Sequence, residues 1–272
     1  MRTTTGNSPA NGVAPPVKPP KSILITGASS GIGRALAQAY AAPGVILFLS
    51  GRNLERLQET VADCLDRGAD VHPKSLDVTD RAAMEAWIRE SDSLSPLDLV
   101  IANAGISGGV AGKDKSGETE AQARQIFDIN FNGVLNSIYP AIELYKLRQR
   151  GQIAIVSSLA GYRGLPGAPA YSASKAAVKA YGEALRGALK RDGIAVNVIC
   201  PGFVVSRITD ANRFPMPFLM KADRAAILIK KGLSVNRAVI AFPWPTRFVS
   251  WIFRILPGRL AVPLLSGLPA KE

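Results

Sequence analysis

A chain of 272 residues with 47% hydrophobic side chains is long and apolar enough to bury a full core, which excludes a wholly disordered protein and predicts one α/β domain with tails. Two distant cysteines and a single histidine give no support to a disulfide framework or a metal site. The net charge of +12 would suit nucleic acid, but no nucleic-acid-reading module accompanies it, so no nucleic-acid partner is predicted.

Residues 1–20 are rich in Pro, Thr, Asn and Gly and are predicted to form a disordered tail. The tail lacks the apolar core of a secretory signal, and its two basic residues, Arg2 and Lys18, are too few for a typical transit peptide. No apolar run in the chain reaches the ~18 residues of a membrane-spanning helix. A cytoplasmic protein is therefore expected.

A strand predicted at 22–26 runs directly into a glycine-rich turn, 27–33, and then into a helix at 34–42. This succession is typical of the phosphate-binding entry of a dinucleotide-binding fold. Glycines let the backbone approach a pyrophosphate, and the helix N-terminus offers unpaired N–H groups and a positive dipole end. The candidate cofactor-binding residues of the turn are Gly27, Ser29, Ser30, Gly31, Ile32 and Gly33.

Short apolar strands then alternate with amphipathic helices. Strands are predicted at 45–49, 71–76 and 97–102, and helices at 54–67 and 81–90. Such alternation predicts an α/β fold with a Rossmann-like, doubly wound parallel sheet. Ligands bind such sheets at the carboxyl ends of the strands, so the residues just after each strand are informative.

Arg52 follows the second strand, where a carboxylate would bind the adenosine ribose hydroxyls of NAD. An arginine here can instead pair with the additional phosphate of NADP. NADP(H) is therefore the preferred cofactor, and NAD(H) stays open. The ends of the third and fourth strands add further candidate cofactor contacts, namely Asp77, Val78, Asn103, Ala104 and Gly105.

A glycine-rich, charged loop over 107–117 is predicted to be mobile. Two helical runs follow, at 118–131 and 134–150, with Asn130 near their junction. A strand at 153–157 then ends in Ser158. A serine in this position can polarise a substrate carbonyl by donating a hydrogen bond, or it can satisfy loop backbone groups only.

Tyr171 and Lys175 are four residues apart in a helical run that continues to about residue 190, so both can point into one cavity. A nearby cation favours a phenolate, which makes the pair a candidate general acid and base. Alanines at 173, 176, 177 and 180 give the helix a small-residue face that suits packing against another helix, such as one of a second copy in a homodimer. A strand at 194–199 then leads to three further candidate cofactor contacts, Pro201, Gly202 and Val204.

Taken together, these motifs resemble the short-chain dehydrogenase/reductase family. The turn 26–33 is similar to its TGxxxGxG motif, residues 103–105 to its NAG element, and residues 171–175 to its YxxxK motif, with Ser158 and Pro201-Gly202 in family-like order and spacing. The resemblance extends from about residue 22 to about residue 242. It implies a single Rossmann-fold catalytic domain, for which residues 21–243 are predicted.

The resemblance also implies roles for four residues. Tyr171 would be the proton donor, and Lys175 would lower its pKa and bind the nicotinamide ribose. Ser158 would orient the carbonyl, and Asn130 would hold a water molecule for proton relay. The cofactor would supply the hydride chemistry, and the protein orientation and electrostatics.

The end of the chain departs from the family pattern. Ser206 stands where threonine is frequent, and the glycine-rich segment that many tetrameric members use at an interface is missing, so the familiar tetramer is not expected. Residues 244–272 instead form an extension with a helix predicted at 246–256, in which Phe248, Trp251, Ile252 and Ile255 share one face. This basic amphipathic helix can cap the substrate cleft, pack in a dimer or lie peripherally on a membrane.

The favoured hypothesis is an NADP(H)-dependent oxidoreductase that interconverts a carbonyl and an alcohol on a lipophilic small-molecule substrate. Two alternatives are a non-catalytic NADP(H)-binding sensor and a membrane-surface scaffold. A sensor needs the glycine turn but not the Ser158, Tyr171 and Lys175 set, which disfavours it.

Overall fold

The computed structural model describes residues 18–108, 118–210 and 216–266. Within them, seven parallel strands form one sheet in the order β3-β2-β1-β4-β5-β6-β7. The strands are β1 Ser22–Ile25, β2 Ile46–Gly51, β3 Asp70–Ser75, β4 Leu99–Ala102, β5 Gly151–Val156, β6 Ile194–Pro201 and β7 Val239–Phe242. The helices are α1 Gly31–Tyr40, α2 Leu54–Leu65, α3 Arg81–Leu94, α4 Glu120–Phe127, α5 Gly133–Arg148, α6 Pro169–Ala188, α7 Arg207–Asp210, α8 Ala222–Ser234, α9 Trp244–Ile255 and α10 Gly258–Ser266.

This architecture confirms the predicted Rossmann-like doubly wound sheet. The chain builds outward from β1 to β3 and then returns to place β4 on the other side of β1. The carboxyl ends of β1 and β4 therefore flank the point where the strand order reverses, which is where such sheets bind ligands.

The core lies on both faces of the sheet because successive side chains of a strand point to opposite sides. Ile23 and Ile25 of β1 pack with Leu36 of α1 in one buried cluster. Leu24 packs on the opposite face with Trp87 of α3, in the cluster that also includes buried residues of α5 and α6. Burial of each such side chain stabilises the fold by roughly 1.5–3 kcal/mol.

Several element boundaries differ from the sequence predictions. Helix α1 begins at Gly31, three residues earlier than predicted. The two helical runs predicted after residue 118 are joined through a π-helical turn, Asp128–Asn132, which contains Asn130. Helices α8 and α10 had no sequence prediction. The predicted disordered tail up to residue 17 and the predicted mobile loop at 109–117 lie outside the described residues.

The extension predicted after residue 243 is helical from Trp244, two residues earlier than expected. A second helix, α10, follows it closely. In the described part of the chain, no helix has both the length and the apolar character needed to cross a membrane.

Candidate active site

The glycine-rich turn between β1 and α1 has no room for side chains at three positions. Gly27 and Gly31 have φ values of +67° and +55°, which favour glycine. A Cβ on Gly33 would lie 2.2 Å from the carbonyl oxygen of Gly27. The Ser30 side chain makes no capping hydrogen bond, so the first N–H groups of α1 stay available. This tight backbone cradle at a helix N-terminus fits the pyrophosphate of a dinucleotide.

Thr26 and Asn103 connect this turn to the end of β4. The Thr26 hydroxyl accepts hydrogen bonds from the amides of Asn103 (3.0 Å) and Ala104 (3.1 Å). In return, Asn103 Nδ2 donates to the carbonyl oxygens of Thr26 (2.9 Å) and Gly27 (3.2 Å). The turn and the predicted NAG element are therefore one hydrogen-bonded unit.

Asn130 and Lys175 meet at Gly105. A Cβ on Gly105 would lie 3.1 Å from Asn130 Oδ1 and 3.3 Å from Lys175 Nζ. Asn130 is buried, and its Oδ1 accepts a hydrogen bond from the Ile106 amide at 2.8 Å. Its Nδ2 donates to the Ile106 carbonyl oxygen at 2.9 Å and to Ser174 Oγ at 3.1 Å. The π-helical turn that carries Asn130 is a feature found frequently at functional sites.

Lys175 is 4% exposed, and its Nζ donates a hydrogen bond to the carbonyl oxygen of Val156 at 3.0 Å. Nζ lies 5.9 Å from the centre of the Tyr171 ring, as the four-residue spacing on α6 predicts. Burial lowers the Lys175 pKa to about 8. A buried lysine of this kind is close to its charge transition at neutral to mildly basic pH.

Ser158, two residues after β5, affects the Tyr171 hydroxyl. Burial raises the Tyr171 pKa above its usual value, and the nearby Ser158 side chain lowers it. Burial has the largest effect on this pKa because it disfavours the phenolate. Ser158 Oγ also accepts from the Ala160 amide at 3.1 Å.

The segment after β6 closes the other side of the cleft. Ser158 Oγ donates to the carbonyl oxygen of Pro201 at 3.4 Å, and the Gly202 amide donates to Phe242 of β7 at 2.7 Å. Val204 is 4% exposed. Gly31 of the glycine turn faces Ser206, because an added Cβ would lie 2.9 Å from the Ser206 Cβ.

Arg52, directly after β2, lies beside a cavity whose lining does not include Ser158, Tyr171 or Lys175. Its Nη1 is 3.7 Å from Asp77 Oδ2, and the two residues line a cavity of about 730 Å³ together with Thr79 and Arg124. Asp77 also accepts hydrogen bonds from the amide and hydroxyl of Thr79 at 3.0 and 2.9 Å. Next to it, Val78 is buried, and a Cβ on Gly133 would lie 2.6 Å from its Cγ2.

Glu118 is a site residue that the sequence analysis did not identify. Its carboxylate accepts hydrogen bonds from the amides of Ala170 (2.5 Å) and Tyr171 (3.3 Å) at the start of α6. The residue before that helix, Ala168, has no side chain that could cap it. Glu118 is more than fifty residues away in sequence, so no local pattern could have revealed this contact.

Comparison with known proteins decides the family. The sequence profile described as short chain dehydrogenase matches residues 21–215. The chain belongs to the short-chain dehydrogenase family. It is therefore an oxidoreductase that acts on a CH–OH group with an NAD(P) cofactor.

Relatives of this short-chain dehydrogenase come from several bacteria. A Myxococcus xanthus protein named "Uncharacterized oxidoreductase" is 41% identical over 241 residues, covering 88% of this chain and 94% of its own length. An oxidoreductase named as uncharacterised in Mycobacterium tuberculosis is 36% identical over 248 residues, with the same shares. A Streptomyces virginiae protein, provisionally named as ketoacyl reductase of the monensin polyketide synthase, is 35% identical over 211 residues. The match covers 76% of this chain and 79% of the relative.

Solved structures share the fold. Levodione reductase superimposes with a TM-score of 0.74 at 24% identity, covering 84% of this chain and 96% of its own. A short-chain type dehydrogenase/reductase from Mycobacterium marinum has a TM-score of 0.72 at 24% identity, covering 81% and 92%. At this identity the likeness supports the architecture and not the substrate.

Proposed function

We propose that this short-chain dehydrogenase is an NADP(H)-dependent enzyme that interconverts a carbonyl and an alcohol on a lipophilic small molecule, with Tyr171 as general acid and base. The observation that carries the proposal is the buried Nζ of Lys175, which lies 5.9 Å from the centre of the Tyr171 ring, with Ser158 close enough to lower the Tyr171 pKa. A hydroxyl pair can hold a carbonyl oxygen and exchange a proton with it.

In this mechanism Ser158 donates a hydrogen bond to the substrate oxygen and fixes its position. Tyr171 gives its phenolic proton to that oxygen during reduction and takes it back during oxidation. Lys175, when protonated, stabilises the phenolate electrostatically and offers a donor to the cofactor ribose. Asn130 holds a water molecule that returns the proton to Tyr171.

The cofactor would supply the hydride. The residues that would hold the cofactor are the glycine cradle, Asn103 to Gly105 after β4, Pro201 at the end of β6, and Gly202 and Val204 after it. The cradle fits because Gly33 lets the start of α1 pack directly against the turn, while the first N–H groups of the helix stay uncapped by Ser30 and can bind a phosphate.

NADP(H) is the proposed cofactor because Arg52 follows β2 and its side chain is 56% exposed beside the cavity, where it can reach a phosphate. Its 3.7 Å contact with Asp77 is too long for a tight ion pair, so the arginine can change partners at small cost. NAD(H) stays an alternative that the same cradle would accept.

The ketoacyl reductase role in the name of one relative fits a carbonyl substrate with an extended carbon chain.

We also propose pairing with a second copy through α6, where Ala173 and Ala180 are exposed. We propose that the enzyme is located in the cytoplasm and contacts a membrane peripherally.

The experiment is oxidation of NADPH and of NADH by the purified protein on methyl ketones of increasing chain length. The proposal expects turnover that prefers NADPH and increases with chain length. Tight NADPH binding with no turnover on any carbonyl would instead favour a sensor.

A further inference from the structure

The outer face of α9 is apolar and exposed. Trp244, Phe248, Trp251 and Ile255 are spaced by four, three and four residues, so they share one side of the helix. They are 76%, 54%, 49% and 60% exposed, and α9 has no buried residue. An apolar stripe of this spacing ordinarily faces a protein core, whereas this one faces solvent.

Helix α10 continues the exposed apolar surface. Leu260 and Leu264, one helical turn apart, are 51% and 60% exposed. On its other side, Ala261 and Leu265 are buried and hold the helix against the protein. Arg163 further fixes the junction between the two helices by donating to the carbonyl oxygen of Leu256 at 3.3 Å. The apolar residues are therefore exposed on a docked extension.

The charge of this surface has one sign. Residues 244–266 contain three arginines, Arg247, Arg254 and Arg259, and no aspartate or glutamate. All three arginines are exposed, and the first two lie along one side of the apolar stripe of α9. Aromatic and aliphatic side chains flanked by cations are the composition of helices that lie in the interface of anionic membranes.

The same charges argue against a second copy of the chain as the partner that covers this surface. A two-fold pairing through this surface would bring the arginines of both subunits together, without an acid from residues 244–266 to pair with them. Like charges at an interface oppose association. An anionic lipid surface supplies the missing negative charge.

We propose that the exposed faces of α9 and α10 dock this protein on the surface of an anionic lipid membrane. Helix α9 packs against the short 3₁₀ turn Leu159–Tyr162, which directly follows Ser158. Thr246 of α9 approaches Gly202, since an added Cβ there would lie 3.2 Å from its hydroxyl oxygen. Docking therefore brings the strand-end cleft close to the bilayer. A lipophilic substrate could then enter the cleft from the lipid phase, a consequence that rests on the function proposed above.

The chain contains its own reporters for this proposal. Two of its three tryptophans, Trp244 and Trp251, lie on the exposed face, and the third, Trp87, is 4% exposed in the core. The full-length protein is titrated with vesicles of phosphatidylcholine and phosphatidylglycerol, and with vesicles of phosphatidylcholine alone. We expect co-sedimentation and a blue shift of the tryptophan emission with the anionic vesicles, both weakened by salt.

Substitutions locate the binding surface. Phe248→Asp is expected to abolish binding, whereas Leu147→Asp, which replaces an 85% exposed apolar residue on α5, should bind like the wild type. Each of the three arginines changed to Gln should weaken the affinity for anionic vesicles about fivefold. Tyr171→Phe should bind normally, so failure of the proposed reaction can be distinguished from failure of docking.

Equal vesicle affinity of Phe248→Asp and the wild type would overturn the proposal. So would a blue shift that appears without vesicles as protein concentration rises and that Phe248→Asp removes, because a second copy would then cover the face.

Discussion

Glu118 holds the amino end of the helix that presents Tyr171, because its Oε1 accepts a hydrogen bond from the Tyr171 amide at 3.3 Å and its Oε2 one from the Ala170 amide at 2.5 Å. A carboxylate at this place satisfies two free N–H groups and interacts favourably with the helix dipole. The position of the proposed acid thus depends on a residue that precedes α4.

Replacing Glu118 by Ala should lower kcat about tenfold and leave the KM for NADPH unchanged, since small displacements of a reacting group are costly whereas the glycine turn is untouched. Steady-state kinetics give both constants. Glu118→Gln keeps an acceptor oxygen and should restore most of the rate. Glu120→Ala, at an exposed neighbour that pairs with Arg124, is the control. An equally large fall in kcat in Glu120→Ala would contradict the role of Glu118 in positioning Tyr171.

The buried amine of Lys175 should make stability depend on pH. Its pKa falls from an ordinary value of 10.5 to about 8 on folding, so the unfolded chain binds more protons between these values. The free energy of unfolding should therefore rise with pH from about 8 to about 10.5, by about 3 kcal/mol for this group. Urea unfolding of wild type and Lys175→Met at a series of pH values isolates this contribution. A constant difference between the two proteins over that range would refute it.

Arg52→Gln should raise the KM for NADPH about tenfold and leave that for NADH unchanged, because a partly exposed charge-assisted contact with the additional phosphate is lost. Arg124→Gln, on the same cavity, is the matched control and should have a small effect. Equal changes for both cofactors in Arg52→Gln would show that this arginine does not distinguish them.

Two glycines that both lie within helices should respond in opposite directions to alanine. Gly33→Ala places a Cβ 2.2 Å from a backbone oxygen and should lower the free energy of unfolding by about 3 kcal/mol. A Cβ at Gly187 in α6 meets no atom within 4 Å, so Gly187→Ala should raise the free energy of unfolding by about 0.5 kcal/mol. Thermal and urea unfolding test both variants. A neutral Gly33→Ala would show that the turn can move apart.

The parallel sheet was predictable from sequence because each buried strand is a short apolar run followed by a turn, and the strand-end residues follow from that order. Glycines at 27, 31 and 33 were predictable because only glycine suits such a turn. The contact of Glu118 with α6 was not, because it joins residues distant in sequence. The apolar stripe of α9 was recognised, but periodicity shows only that residues share a face and not whether that face meets a core or solvent.

The most direct test of the proposed mechanism is a single-turnover measurement of NADPH oxidation by wild type and Tyr171→Phe with a ketone that the wild type reduces. Phenylalanine keeps the ring and removes only the hydroxyl whose pKa Ser158 lowers. We predict unchanged NADPH binding and a fall in the rate of hydride transfer of about 10²–10⁴, the range of general acid catalysis. Turnover by Tyr171→Phe at the wild-type rate would contradict the assignment of Tyr171 as the acid.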